Sequence, residues 1–133
     1  MTELEFLIPR RPMSLQGNRA NLRAWKEFVA GEAKTAWGAR HPIRSGELHL
    51  TLVYLSGVQP ADVDKIIKPI QDALVGLVLA DDSLMVAVES HRRLLTGSFD
   101  PMRLPPLLLQ GLLTGRECVY VRLRDAQPLE ELL

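Results

Sequence analysis

The sequence predicts an α+β domain in which a small mixed β-sheet of about four strands packs against two main helices. Segments in which apolar residues alternate with a period of two are interspersed with segments in which they recur every three or four residues. The chain has 133 residues, is 47% hydrophobic, and carries 16 basic and 16 acidic side chains. This composition is typical of a chain that folds around its own core, and at this length we expect one domain over residues 1–133.

The first half of the chain predicts a strand, a helix and a second strand. Residues 4–8 alternate until a proline ends the pattern, which is typical of a strand. From residue 21 to 37 the apolar positions recur at helical steps and a glycine follows, so we expect an amphipathic helix with Trp25 and Trp37 in the core. Residues 48–54 alternate again and include β-branched residues, which predicts a half-buried strand.

The second half predicts a longer helix followed by shorter elements. The apolar residues from position 62 to 79 form one helical stripe, and we expect the regular helix to start near Asp64 and to bend near Pro69. The nearly continuous apolar run at residues 84–88 is typical of a short central strand. Beyond it we expect a short helix after the prolines at 105–106, a last strand over residues 117–123 and one helical turn over residues 128–133.

The net charge of zero hides a segregation of charge along the chain. Residues 1–46 carry 8 basic and 4 acidic side chains, and residues 47–91 carry 2 and 7. Residues 92–124 carry 6 and 2, and residues 125–133 carry three acids with no base. The four segments therefore have net charges of +4, −5, +4 and −3. One interpretation is ordinary solvated surface, and the other is an acidic site inside a basic frame that suits nucleic acid.

Cysteine content and hydropathy restrict the cellular setting. Cys118 is the lone cysteine, which excludes an intrachain disulfide and a zinc site built from several cysteines. The N-terminal residues lack a signal-peptide pattern, and the apolar runs are far shorter than the ~20 residues that span a bilayer. We therefore expect a cytoplasmic protein with no membrane partner.

Carboxylates gather at both ends of the predicted 62–79 helix. Asp62 and Asp64 stand at its entrance, where an Asp side chain commonly caps a helix. Asp81 and Asp82 follow its end, where the helix dipole disfavours carboxylates and a turn is the alternative explanation. Lys68 has an Asp four residues away on either side, so salt bridges on a solvated face are its simpler role. Together these groups are also suited to bind Mg²⁺ and to offset charge during attack on phosphorus.

The segment DVDKIIKPIQDALVGLVLADDSLMV resembles the signature of the RusA family of Holliday junction resolvases, approximately D-x-D-N-x-x-K-P-x-x-D-A-L-x-G-x-x-x-D-D-x-x-V. The opening IPRRPMS resembles the first strand of that family and its proline-rich turn. The resemblance covers roughly residues 4–93 and is most specific in its middle third. It implies a RusA-like fold and a Mg²⁺-dependent, homodimeric endonuclease that cuts branched DNA by paired strand incisions, in recombination or repair.

The resemblance also implies roles for individual residues. Asp62, Asp64 and Asp82 would bind the metal, and Lys68 would be the catalytic lysine. Asp72 would be a helix residue of the motif, and Asp81 the neighbour of the third carboxylate. The chain departs from the family pattern at Lys65, which stands where the family usually has Asn.

Basic residues outside this motif are candidates for DNA binding. Guanidinium groups match phosphate oxygens, and non-specific DNA affinity is mainly electrostatic. Solvated surface is the alternative for each residue. The candidates are Arg10, Arg11, Arg19, Arg23, Lys26, Arg92 and Arg93.

Two rival functions stay open at this point. The first is a RusA-like DNA-binding dimer that has lost cleavage, motivated by Lys65 and the neutral net charge. The second is a Mg²⁺-dependent phosphohydrolase that acts on small nucleotides.

The expected helix also bears on how the site is assembled. A straight helix from residue 64 to 79 is ~22 Å long, so Asp82 would stand far from Asp62 and Asp64. We therefore expect an active site shared between two antiparallel subunits. The competing geometry is a site within one chain, assembled by a sharp break at Pro69 or a fold-back after Leu79.

Overall fold

The computed structural model describes residues 2–13 and 18–133. Ser14, the last residue of the IPRRPMS segment, lies outside them. The four strands form one mixed sheet in the order β1-β4-β2-β3. Strand β4 pairs antiparallel with both β1 and β2, whereas β2 and β3 are parallel. The bounds are β1 Thr2–Ile8, β2 Leu48–Ser56, β3 Met85–Leu94 and β4 Cys118–Asp125.

The main core lies between one face of the sheet and helices α1 (Arg19–Trp37) and α2 (Ile67–Leu74). The Asn18 side chain accepts hydrogen bonds from the backbone N–H groups of Ala20 and Asn21, which caps α1. Trp25 and Trp37 are buried, as predicted. The predicted α+β class and two-helix packing are therefore confirmed.

Helix α2 is much shorter than the predicted 62–79 helix. It ends at Leu74 because the next residues form backbone hydrogen bonds with a distant segment: Ile43 donates to Val78 O at 2.8 Å, and Ala80 donates to Ile43 O at 2.8 Å. Gly76 has a φ of +87°, which favours glycine and lets the chain reverse there. Pro69 lies in the first turn of α2, where its missing N–H is of little consequence, so no preceding helix exists for it to bend.

The predicted burial of two strands was wrong. Strand β2 was expected to be half buried, but both of its faces are covered, because it contributes Leu50 and Leu52 to the main core and Leu55 to a second apolar cluster. Strand β3 was expected to be short and central, but it has ten residues and forms an edge of the sheet. Its Val86 is 51% exposed. The apolar run that predicted a central strand therefore lies partly in solvent.

The opposite face of the sheet is only partly covered. Helix α3 (Pro106–Thr114) packs Leu108 against Leu55, Cys118 and Tyr120 in a second, smaller cluster. Helix α4 (Leu129–Leu132) and two short 3₁₀ helices, residues 82–84 and 101–103, complete the fold. Among the described residues, no helix is long and apolar enough to cross a membrane.

Candidate functional site

The predicted catalytic and metal-binding residues lie on the crossover that connects the parallel strands β2 and β3. A parallel pair needs such a connection because the chain must return to the starting end of the sheet. The crossover consists of a loop and turn at residues 57–66, helix α2, a reversal at residues 75–80 and a 3₁₀ turn at residues 82–84.

The turn before α2 exposes both entrance carboxylates. Neither Asp62 nor Asp64 caps the helix, since the cap position is Ile66 and has no side-chain hydrogen bond. Asp62 Oδ2 instead lies 3.3 Å from Lys65 Nζ. The turn is attached to the sheet because the Ser90 hydroxyl donates a 2.7 Å hydrogen bond to Val63 O. Asp62 and Asp64 therefore flank a residue held against the second half of β3.

Lys68 and Asp72 form an ion pair on the first turns of α2, as the i, i+4 spacing predicts. Lys68 Nζ lies 2.8 Å from Asp72 Oδ1, and Lys26 Nζ of α1 lies 3.1 Å from Asp72 Oδ2. Partial burial of Asp72 opposes its ionisation, but the hydrogen bonds from Lys68 and Lys26 outweigh it and lower the pKa of that carboxyl. The Asp72 carboxylate thus connects α1 to α2 and holds Lys68 by one oxygen.

Asp81 and Asp82 stand at the other end of the crossover. The Asp81 side chain accepts a 3.1 Å hydrogen bond from the Ser83 backbone N–H, so the turn interpretation of this residue is confirmed. Asp82 is exposed but acts on the same lysine as Asp72. Hydrogen bonding and attraction to Asp72 raise the pKa of Lys68, and the charge of Asp82 contributes further. The fold-back of one chain therefore brings Asp82 within electrostatic reach of Lys68.

The three predicted metal-binding carboxylates do not converge within one chain. Within residues 2–13 and 18–133, no group of three His, Cys, Asp or Glu side chains is arranged to hold a metal ion. Ser90, which holds the Asp62–Asp64 turn, is five residues beyond Met85 along β3, or about 16 Å. Asp82 lies before Met85, towards the other end of the strand. The long helix behind the shared-site prediction is absent, but the two ends of the motif remain apart.

The chemistry of the donors nevertheless fits Mg²⁺. This ion prefers oxygen ligands and usually takes only one or two protein carboxylates beside waters and substrate phosphates. Asp64 and Asp82 are exposed, and neither has an ion-pair partner in the described part of the chain. Either carboxylate is therefore accessible to an ion that DNA phosphates, or a second subunit, would help to coordinate.

The predicted DNA-binding arginines divide into three groups. Arg10 lies over the Phe28 ring at 3.7 Å, and Arg11 Nη1 is 3.5 Å from Glu117 Oε2, so both have contacts within the fold. Arg19 and Arg23 line a depression on α1 together with Lys26, the residue that contacts Asp72. Arg92 and Arg93 lie near the end of β3 and line a separate cleft.

Sequence reasoning missed the role of Glu117. Its Oε1 atom accepts 2.8 Å hydrogen bonds from the Tyr54 hydroxyl and the Gly57 backbone N–H. Burial opposes ionisation of Glu117, but the Gly57 N–H and the Tyr54 hydroxyl lower its pKa on balance. Burial and Glu117 raise the pKa of Tyr54 to about 12. Glu117 therefore fixes the start of the loop that leads to Asp62, and no local pattern predicts a contact across 60 residues.

No protein-family model matches the chain, and no curated protein matches it.

Proposed function

We propose that the protein is a RusA-like, Mg²⁺-dependent, structure-selective endonuclease that acts on branched DNA as a homodimer. The single observation that carries the proposal is the arrangement around Lys68. This lysine forms an ion pair with Asp72 and follows the exposed Asp64 by four residues. The charge of Asp82 contributes to raising its pKa. The same residues compose the motif that resembles the RusA signature.

The residues divide the chemical work as follows. Asp64 and Asp82, with Asp62, would hold the metal, which when bound supplies a positive charge that polarises phosphate and activates water. Lys68, like any lysine, is protonated at neutral pH, and Asp72, with a further contribution from Asp82, raises its pKa. Its ammonium group is therefore available to offset negative charge that develops on phosphate oxygens in the transition state.

The basic surface of α1 supports a DNA substrate. Arg19, Arg23 and Lys26 line one depression, and Lys26 also contacts the Asp72 carboxylate that holds Lys68. A phosphate backbone bound along α1 would therefore lead towards the carboxylates of the crossover. This continuity favours a nucleic acid over a small nucleotide as the substrate.

The test is a nicking assay with Mg²⁺ on four-way junctions, flaps and plain duplex, beside binding measured with Ca²⁺. We expect the wild type to cut branched DNA, and Asp64→Asn to abolish cutting with its stability and DNA affinity nearly unchanged, because Asp64 is exposed. The matched control is Asp125→Asn, an exposed Asp at the end of β4 and outside the crossover. Undiminished nicking by Asp64→Asn at saturating DNA would reject the assignment.

The homodimer has its own test. Mixing Asp64→Asn with Asp82→Asn protein restores activity if each site takes carboxylates from both chains, since some mixed dimers then contain one intact site. If each chain holds a complete site, every site in the mixture stays damaged and no activity returns. Sedimentation of the wild type measures whether a dimer forms at all.

A DNA-binding dimer without cleavage is the second candidate. It is favoured by the 3.3 Å contact of Lys65 with Asp62, because this cation replaces the family's Asn and neutralises a carboxylate proposed to bind metal. Junction binding in Ca²⁺ without nicking in Mg²⁺ or Mn²⁺ would select this candidate. Lys65→Asn is then expected to raise metal affinity.

A further inference from the structure

A cleft with both cationic and apolar walls lies beside the loop that leads to Asp62. Its volume is about 630 Å³. It is lined by Val58 and Pro60 of the loop after β2, by Arg92, Arg93 and Leu94 of β3, and by residues 97–99. This size lies within the range of about 300–1,000 Å³ that is typical of ligand sites.

The cationic wall is suited to a phosphate. No carboxylate in the described part of the chain forms an ion pair with Arg92 or Arg93. Arg93 Nη1 donates a 2.8 Å hydrogen bond to Arg92 O, which orients its guanidinium while leaving other N–H groups for a ligand. Guanidinium groups without a carboxylate partner bind phosphate oxygens at a low desolvation cost.

The apolar wall is suited to a flat, unpaired base rather than to a sugar-phosphate backbone. The Phe99 ring lies so close to Gly97 that a Cβ there would approach its Cζ atom to 3.1 Å, so Gly97 leaves the space in which the ring sits. Val58 is 91% exposed at the rim, although it is apolar. Aromatic rings stack on bases in single strands, whereas bases inside a duplex already stack on each other.

The cleft is adjacent to the proposed cutting site along the chain. Pro60 precedes Asp62 by two residues, and the Ser90–Val63 hydrogen bond fixes this loop against β3. A strand whose base enters the cleft would therefore present a neighbouring phosphodiester to the Asp62–Asp64 turn. Phe99 is distant from the motif in sequence, and it becomes a neighbour of Pro60 only through the fold.

We propose that this cleft binds an unpaired nucleotide at a DNA branch point, with Arg92 and Arg93 on its phosphate and Phe99 against its base. The inference rests on the proposed nuclease function and narrows its substrate class. Branched DNA with unpaired nucleotides, such as flaps and splayed arms, is preferred over fully paired junctions and over duplex.

The test measures binding of the full chain in Ca²⁺ to a flap that carries 2-aminopurine as its first unpaired base, to a fully paired four-way junction and to a duplex. We expect the flap to bind most tightly and its fluorescence to be quenched by stacking. Phe99→Leu should weaken flap binding about tenfold or more and leave duplex binding unchanged. Phe99→Tyr should retain both, and Leu113→Ala, which changes an exposed apolar residue of α3 outside the cleft, should match the wild type.

Val58→Asp is a second variant whose fold is not at risk, because the side chain is almost fully exposed. It should weaken flap binding by placing a negative charge at the rim. Equal affinity for flap and duplex, or unaltered flap binding by both Phe99→Leu and Val58→Asp, would overturn the proposal. Nicking in Mg²⁺ is measured separately. If flap binding depends on Phe99 but no DNA is cut, the nuclease function is rejected and the nucleotide-binding role of the cleft is retained.

Discussion

The antiparallel part of the sheet and the β3 edge with its crossover use similar apolar residues for different purposes. In β2 and β4 these residues are covered on both faces and contribute to the core. In β3 they alternate towards solvent, and the crossover beside them exposes four carboxylates at residues 62, 64, 81 and 82. The difference lies in what covers the faces, since β2 and β4 contribute to both apolar clusters whereas Val86 and Val88 of β3 lie partly in solvent. The antiparallel part of the sheet therefore contributes most of the buried core, and the β3 edge with its crossover carries the solvent-accessible carboxylates.

The largest expected difference between the regions is in core packing. Leu52→Ala should lower the free energy of unfolding by about 2–5 kcal/mol, because Leu52 is fully buried in β2 and its loss leaves a cavity. Val86→Ala in β3 should cost less than about 1 kcal/mol, because half of that side chain is already exposed. Urea unfolding measures the free energy of unfolding of both variants. Equal losses would contradict the difference in packing between β2 and β3.

The next effect concerns catalysis at Lys68. Lys68→Ala should lower the rate of nicking roughly 100-fold, the usual result of removing a group that stabilises transition-state charge. DNA affinity in Ca²⁺ should change little, because the lysine acts mainly on the activated complex. Arg44→Ala, an exposed cation outside the crossover, is the control. If binding and rate fall by the same factor, Lys68 is an ordinary phosphate contact.

Glu117 links the two regions and should have an intermediate effect. Glu117→Ala should destabilise the fold by about 1–3 kcal/mol, because the buried Tyr54 hydroxyl and the Gly57 N–H lose their acceptor. Glu117→Gln keeps a side-chain oxygen and should lose less. Thermal unfolding compares the two variants, and identical melting curves for both would show that the acceptor is unimportant.

The smallest effect is the pH dependence of Asp72. Because its pKa in the folded protein lies below the usual 3.8, its contribution to stability is present above that value and is lost as the pH falls through the folded pKa. Asp72→Asn should therefore be less stable than the wild type by under about 1 kcal/mol at neutral pH. Urea unfolding at several pH values measures this difference in the free energy of unfolding, which should disappear in acid. A difference that stays constant until the protein unfolds in acid would exclude this linkage.

Local periodicity in the sequence determined the elements whose pattern agrees with their surroundings. The first strand and the helix of residues 19–37 lie close to where they were predicted, and so do β2, α3 and β4. Their apolar residues repeat with the period of the structure that buries them, so local preference and tertiary packing favour the same answer. The residue types of the candidate site were also visible in the spacing of Asp64, Lys68 and Asp72.

Tertiary structure decided the remainder. The helix after Asp64 was predicted too long because backbone pairing of residues 78–80 with Ile43 competes with helical hydrogen bonds, and that partner lies 35 residues away from Val78. The edge position of β3 depends on strand order, which its own residues do not encode. The contacts of Lys26 with Asp72 and of Glu117 with Tyr54 likewise join distant segments, and so does the cleft that both Pro60 and Phe99 line. Such contacts form only when the chain folds, so a local pattern carries no signal for them.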